Sequence, residues 1–378
     1  MELDRSGTFV GRVWLSEEKG PVLVTVRAGV VFDITTKEAP TMRDLLEMDD
    51  PVGFVRAREG RAICELAEVL GAAPRVSEAP RLLAPCDLQA IKACGVTFAR
   101  SMLERVIEER AAGNPDLASK IRERVTVLVG DSLRNLKAGS PEAAKVKEAL
   151  IEEGVWSQYL EVGIGPDAEV FTKGQVMSAV GYGDEVGLHP ISRWNNPEPE
   201  VVLAVDSKGR VKGATLGNDV NLRDVEGRSA LLLSKAKDNN ASCALGPFIR
   251  LFDESYSIDD VRNADLDLRI EGEDGYVLMG RSSMKEISRD PLDLVRQTIG
   301  AHHQYPDGFM LFMGTLFAPV EDRDVPGQGF THKLGDVVTI SNAQLGSLVN
   351  TVRLSTECSP WTFGASHLMR NLAARQLI

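Results

Sequence analysis

The segment WNNPEPEVVLAV, residues 194–205, carries two glutamates two positions apart, Glu198 and Glu200. Pro197 and Pro199 push the residues before them out of the helical region, so the segment reads as extended. In an extended chain Glu198 and Glu200 point to one face. A turn at Ser207-Lys208-Gly209 sends the chain back antiparallel and returns Asp219, in GNDVNLRD, to the neighbourhood of Glu198. Three carboxylates brought together repel one another unless a cation sits among them. Oxygen-only ligands suit a hard ion such as Mg2+, with Mn2+ or Ca2+ as substitutes. The spacing taken alone also fits, and favours, three solvated acids at a hairpin edge.

Two further constellations could support such a centre. Ser101, Glu104 and Glu108 follow at spacings of three and four, which puts them on one stripe of a helix; alone, that stripe reads as a solvated face. Lys235 and Lys237 precede a run of small residues and Gly246-Pro247. A lysine near a dication can hold a carboxylate or an enolate oxygen, although by itself the segment reads as an ordinary loop. The five histidines form no spaced ligand pair, and the adjacent His302 and His303 diverge on either a helix or a strand.

The elements that must position these groups are legible as patterns. Residues 1–80 read as short antiparallel strands, in GTFVGRVWL and PVLVTVRAGVVFDIT, forming a small N-terminal β module. A linker around SEAPRLLAPCD leads into residues 81–378. There ARSMLERVIEERAAG has helical spacing with a stop at Gly113-Asn114-Pro115, and Ser140-Pro141 opens a second helix, AAKVKEALIEE, that ends at Gly154. Strands return from about residue 160, with FMLFMGTLF and DVVTISNAQLGSLVNTVRL among them. The expected class is α+β and β-rich, a barrel or curled sheet rather than a βαβ fold.

Composition narrows the partners. The 378 residues are 43% apolar and 26% charged, ordinary values for a globular protein. Lys and Arg number 43 against 55 for Asp and Glu, a net charge of −12 that disfavours nucleic acid and anionic membranes. The five cysteines are scattered without a CxxC pair, which suggests reduced thiols in the cytoplasm and no cysteine zinc site. No apolar run is long enough for a membrane span, and MELDRSGTFVG has no secretory pattern. The common nucleotide loops, the GxSxG elbow and HExxH are absent from the sequence.

Taken in order, Glu198-x-Glu200, the NDV containing Asp219, a lysine ahead of Gly-Pro, Met313-Gly314-Thr315 and the late HKLGDVVTISNAQLGSLVNTV resemble the fumarylacetoacetate hydrolase superfamily. The resemblance covers about residues 80–378. Within it, WSQYLEVGIGPDAEVFTKG, WNNPEPEVVL, GNDVNLRDVEGRSALLLSKAKDNNASCALGPF, HQYPDGF and PGQGFTHKLGD are similar to the 2-keto-3-deoxy-D-xylonate or D-arabinonate dehydratases. It implies a rolled mixed β-structure around Mg2+, in a homodimer or homotetramer. Glu198, Glu200 and Asp219 match the metal ligands. Lys237 matches the active-site lysine on an ungapped count from Gly246, with Lys235 the alternative. Thr315 matches a threonine near the substrate carboxylate, and Phe98 falls at an aromatic position of the substrate pocket.

One departure bears on the reaction. Many hydrolases of the family open the helix with G-x-N-Y-x-x-H-x-x-E, whose His-Glu dyad activates water. Here Ser101 stands at the histidine position, Glu104 at the glutamate and Thr97-Phe98 at Asn-Tyr. An unassisted serine hydroxyl is a poor base near neutral pH. The resemblance therefore implies a Mg2+-dependent lyase that dehydrates a 2-keto-3-deoxypentonate, a small 2-oxo sugar acid, to 2,5-dioxopentanoate. Lys237 would stabilise the enolate, and Glu104 would move protons at C3 and the C4 hydroxyl. An acylpyruvate-type C–C hydrolase and a non-catalytic 2-oxo acid binding protein are the alternatives.

Overall fold

Gly20-Pro21 interrupts two runs of β-branched residues, and the runs pair as an antiparallel ribbon. Strand β1 (Phe9–Leu15) lies against β2 (Gly20–Arg27), with Val10 opposite Thr25. The computed structural model that contains them describes the chain except for residues 1, 2, 5, 72–78, 113, 115, 119, 120, 122–135, 153, 155, 316–320 and 327–328. It gives the backbone alone for 99–101 and 103. Part of the linker, Gly113 and Pro115 of the helix stop, and Leu316-Phe317 of the FMLFMGTLF segment thus lie outside the described residues.

The remaining strands are β3 (Val30–Asp33), β4 (Arg61–Glu65), β5 (Arg81–Leu83), β6 (Ala90–Gly95), β7 (Glu169–Gly174), β8 (Glu185–Leu188), β9 (Pro199–Val205) and β10 (Val211–Asp219). Then follow β11 (Cys243–Leu251), β12 (Asp265–Glu271), β13 (Val277–Ser283), β14 (Phe309–Phe312), β15 (Val337–Asn342) and β16 (Gly346–Leu354). An 11-stranded sheet runs β4-β3-β2-β1-β11-β10-β9-β14-β6-β7, with β5 added to β1. A five-stranded sheet runs β13-β12-β15-β16-β8. Pairing is antiparallel apart from β14 with β6 and β16 with β8, so both sheets are mixed. The class is α+β and β-rich, as the patterns suggest.

The first sheet does not stop near residue 80. Phe9 pairs with Arg250 and Val10 with Ile249, so β1 extends the strands that follow residue 81. The proposed division at residues 80/81 is one of the chain, and the sheet crosses it.

The continuous apolar run VVLAV of β9 is explained by burial on both faces. Val201, Leu203 and Val205 pack into a cluster shared with Leu266, Leu268 and Ile340 of the second sheet. Val202 and Ala204 point the other way, towards Met42, Leu45, Met310 and Phe312. The hairpin that carries the three carboxylates is thereby clamped from both sides.

The helix Ala99–Arg110 buries Met102, Val106 and Ile107 against Leu160 and Ile164 of the helix Gln158–Ile164. The helix Pro141–Glu152 starts as its sequence indicates: Pro141 occupies the first position, and the Ser140 hydroxyl accepts from the Ala143 N–H at 3.1 Å. Among the described residues no helix is long and apolar enough to cross a membrane. Cys86, Cys94, Cys243 and Cys358 are buried free thiols, and Cys64 is half-buried and free.

Candidate active site

β9 and β10 turn at residues 206–210 and return in register, with Gly217 opposite Glu200 and Asn218 opposite Pro199. The Asp219 N–H donates to the Glu198 carbonyl at 3.0 Å, so the hairpin brings the third acid back to the first. Glu198, Glu200 and Asp219 are 5%, 1% and 1% exposed. One oxygen from each lies within 4.8 Å of the others. Burial removes the solvated-edge explanation of the spacing, because carboxylates withdrawn from water need compensating charge and donors.

Met313-Gly314-Thr315 supplies one such donor. Gly314 adopts φ +87, and a Cβ there would lie 2.0 Å from Thr97 Oγ1, so only glycine fits. Its N–H donates to Glu200 Oε2 at 2.6 Å, and Thr97 Oγ1 donates to the Met313 carbonyl at 2.7 Å. Thr315, 8% exposed, lines the cavity and donates to the Pro199 carbonyl at 3.0 Å.

The two lysines of the loop separate clearly. Lys235 is exposed, whereas Lys237 is 2% exposed at the end of the helix Leu233–Lys237 and enters the carboxylate cluster. Lys237 Nζ donates to Glu198 Oε2 at 2.5 Å and to Asp219 Oδ2 at 3.1 Å. Burial alone would lower the Lys237 pKa, but Asp219, Glu198 and Glu226 raise it above the ordinary lysine value. A second lysine, which the sequence did not single out, stands behind. Lys173 of β7 is fully buried, forms an ion pair with Asp219 Oδ1 at 2.9 Å and donates to the Lys237 carbonyl. Asp219 would be raised by burial, yet Lys173 and Lys237 together hold it below the usual carboxylate range.

The stripe Glu104/Glu108 is not a solvated face: the two residues are 8% and 3% exposed. Their helix is turned inward by its apolar neighbours, and two arginines neutralise it. Arg105 donates to Glu108 Oε2 at 2.7 Å and to Glu198 Oε1 at 2.6 Å, and pairs with Glu226 Oε2 at 2.9 Å. Arg223 donates to Glu108 Oε1 at 2.7 Å, approaches Glu104 Oε2 at 3.5 Å and lies 4.1 Å over the Trp194 ring. Burial pushes Glu108 up, but Arg223 and Arg105 overcome it and keep its carboxyl below the ordinary value.

Ser101 occupies this helix by its backbone, and its side chain lies outside the described residues. Phe98 is fully buried in the hydrophobic core at the helix start, and the cavity lining does not include it. Glu169 of β7, unremarked in the sequence and half-buried, does line the cavity. Burial raises its pKa against the pull of Arg105 and Lys237. Burial likewise raises Glu226, and raises Glu200 well above the ordinary value with Asp219 and Glu198 adding to it. The signal that could have found Glu169 and Lys173 is alternation: Glu169, Phe171 and Lys173 share one face of β7.

The donor set fits a hard divalent ion. Glu104, Glu108, Glu169, Glu198, Glu200, Asp219 and Glu226 give seven carboxylates around the cavity, against three cations in its lining, Arg105, Arg223 and Lys237. Lys173 behind Asp219 makes four, so the fully ionised site carries a net charge of −3. The converging group offers only carboxylate oxygens, which favours Mg2+, Mn2+ or Ca2+ over softer metals.

Residues 142–353 match the family described as Fumarylacetoacetate (FAA) hydrolase C-terminal. The chain belongs to the fumarylacetoacetate hydrolase family. The matched stretch holds Glu198, Glu200, Asp219, Lys237 and Thr315 and leaves Ser101 and Glu104 ahead of it. Among relatives, a 2-dehydro-3-deoxy-D-arabinonate dehydratase of Saccharolobus solfataricus is 29% identical over 185 residues, 49% of this chain and 58% of that protein. A probable 2-keto-3-deoxyxylonate dehydratase of Haloferax volcanii is 28% identical over 201 residues, 53% of this chain and 65% of that one. The chain thus matches less than two thirds of the length of either relative.

The fold is that of solved members of the family. A 2-keto-3-deoxy-D-arabinonate dehydratase complexed with magnesium and 2,5-dioxopentanoate superposes with a TM-score of 0.64 at 20% identity, over 92% of this chain and 99% of that one. A fumarylacetoacetate hydrolase from the psychrophilic Exiguobacterium antarcticum gives 0.54 at 17% identity, over 92% and 99%.

Proposed function

We propose that the protein is a divalent-metal-dependent dehydratase that converts a 2-keto-3-deoxypentonate to 2,5-dioxopentanoate. The observation that carries this reading is the buried triad Glu198, Glu200 and Asp219 with Lys237 bridging two of its members. The dehydratases among its relatives support the choice of reaction. Glu198, Glu200 and Asp219 would hold the ion, which when bound polarises the 2-oxo group of the substrate and makes its C3 proton easier to remove.

The chain's own residues then have distinct tasks. Lys237 adds fixed positive charge where negative charge develops on the substrate oxygen. Glu169, half-buried in the cavity lining and with its pKa raised by desolvation, is the first candidate to take the C3 proton. Glu104 remains a candidate for delivering a proton to the departing C4 hydroxyl. Loss of the C3 proton and of the C4 hydroxyl releases water and leaves a C3–C4 double bond. Removal of a C5 proton and protonation of C3 shift that double bond to C4–C5, and the resulting enol gives up its hydroxyl proton and gains one at C4 to become the C5 aldehyde. Thr315, beside the Glu200-binding Gly314, is proposed to contact the substrate carboxylate. The test is mass spectrometry of the products formed from a panel of 2-keto-3-deoxy sugar acids, with Mg2+ and after chelation. A product lighter than substrate by one water, formed only with metal, is the expected result.

A further inference from the structure

The oxygens of the carboxylate triad are almost all occupied, and the pattern of occupancy is uneven. Glu198 gives Oε1 to Arg105 and Oε2 to Lys237. Asp219 gives Oδ1 to Lys173 and Oδ2 to Lys237. Glu200 gives Oε2 to the Gly314 N–H. Lys237 is therefore the group that reaches two of the three acids, through Glu198 Oε2 and Asp219 Oδ2, the inward oxygens that converge on its ammonium. Lys173 takes the outer oxygen of Asp219 and is anchored to the carbonyls of Lys237 and Val220.

An ammonium has three donors and no acceptor, so it can satisfy two converging carboxylates. A hard divalent ion needs the same inward oxygens and tolerates little distortion of its shell. Two cations a few ångströms apart in a buried site repel strongly. The ion and the ammonium therefore compete for these oxygens.

We propose that Lys237 and a divalent ion exchange at this site: the ammonium bridges Glu198 and Asp219 until the ion takes their inward oxygens, while Lys173 stays fixed as the positioning residue behind Asp219. This rests on the metal-binding reading given above and adds an order of events. Lys237 is tied up until the exchange frees it, so a 2-oxo acid gains its lysine contact only after the metal has bound. Lys237 also lies within 5.8 Å of the Phe171 ring, a face against which a displaced ammonium can rest.

The exchange makes the two lysines opposite in sign. In titration calorimetry of chelator-treated protein with Mg2+, Lys237→Met and Lys237→Gln bind the ion about tenfold more tightly than wild type, although both lose turnover. Lys173→Met binds it about 10- to 100-fold more weakly, as expected on loss of a group that orients a ligand. Pyruvate, as a simple 2-oxo acid probe, binds wild type only when Mg2+ is present. Lys237 variants that bind Mg2+ no better than wild type overturn the exchange, and so does pyruvate binding of equal strength without metal. A Lys237 variant that folds only when Mg2+ is supplied supports it; one that stays unfolded with Mg2+ overturns it. Wild type that takes up no divalent ion sinks the metal reading itself, a different failure from the others.

Discussion

Arg105 Nη2 lies 2.6 Å from Glu198 Oε1, so the helix Ala99–Arg110 is tied to the carboxylate triad by a charged hydrogen bond. The same guanidinium holds Glu108 and Glu226. The layer around the triad is thus a network in which Arg105, Arg223 and Lys237 each serve two or three acids, and removing one member leaves others buried and uncompensated.

The pairing pattern separates the proposed metal ligands. Chelation should abolish turnover and Mg2+ restore it, and both Glu200→Ala and Asp219→Ala should be inactive. Asp219→Ala strands Lys173 and leaves Lys237 with Glu198 alone, and loss of one partner from a buried ion pair costs about 3–5 kcal/mol. Glu200 has no cationic partner among the described contacts, and its main donor is the Gly314 amide. Thermal melts of metal-free protein should show Asp219→Ala well below Glu200→Ala. Equal melting temperatures would count against the paired role of Asp219.

The exposed and buried lysines differ in kinetics. Lys237→Met lowers kcat by about two orders of magnitude, the scale of one lost charge-stabilising donor. Lys235→Met, at an exposed position, changes kcat less than twofold. Steady-state rates with a 2-keto-3-deoxypentonate decide between them, and a larger effect at Lys235 would reverse the assignment.

The acids distinguish lyase from hydrolase. Glu169→Gln loses most dehydration activity because the group best suited to exchange a proton is gone. Glu104→Gln also loses activity, and Ser101→Ala keeps much of it. Wild type should release little or no pyruvate from acylpyruvates, since among the described residues no imidazole lines the cavity. Pyruvate release as fast as dehydration would move the C–C hydrolase into first place.

A fourth expectation concerns stability away from the cavity. His332 Nδ1 lies 3.0 Å from Asp336 Oδ2, and Arg323 donates to both oxygens of Asp336. Burial lowers the His332 pKa below the ordinary 6.5, against the pull of Asp336. The unfolded chain therefore binds a proton that the folded chain refuses. This part of the stability is complete above pH 6.5 and declines as pH falls through 6.5 towards the depressed folded value. Melting temperatures from pH 8 to 5 should drop in that window, and His332→Gln should flatten the drop.

The hairpin was readable from its sequence because proline, alternation and a turn signal each constrain the backbone locally. The convergence of Glu198, Glu200 and Asp219 followed from those three signals, their reading as metal ligands from the family resemblance, and the helix at 99–110 from its apolar spacing and stop signal. The partners of these acids were not readable. Arg105 and Glu108 show on their helix the same charge pattern as a solvated surface, and only the packing of Met102, Val106 and Ile107 turns that surface inward, while Arg223 and Glu226 come from a separate short helix, Arg223–Glu226. Lys173 and Glu169 were visible as alternation in β7, but alternating charges in a strand ordinarily face water. The choice between Lys235 and Lys237 needed the helix phase, which two residues near a helix end do not set.

The bond between β1 and β11 has a consequence for how the molecule can be divided. Leu251 N–H donates to the Thr8 carbonyl, and Val10 stands opposite Ile249. A chain trimmed to begin near residue 81 would bare the backbone rim of β11, two strands away from the carboxylates of β9. Such a rim recruits any extended peptide within reach. The first eighty residues therefore act as a permanent sealing strip, and a trimmed protein would be expected to clump unless that strip were returned to it as a separate fragment.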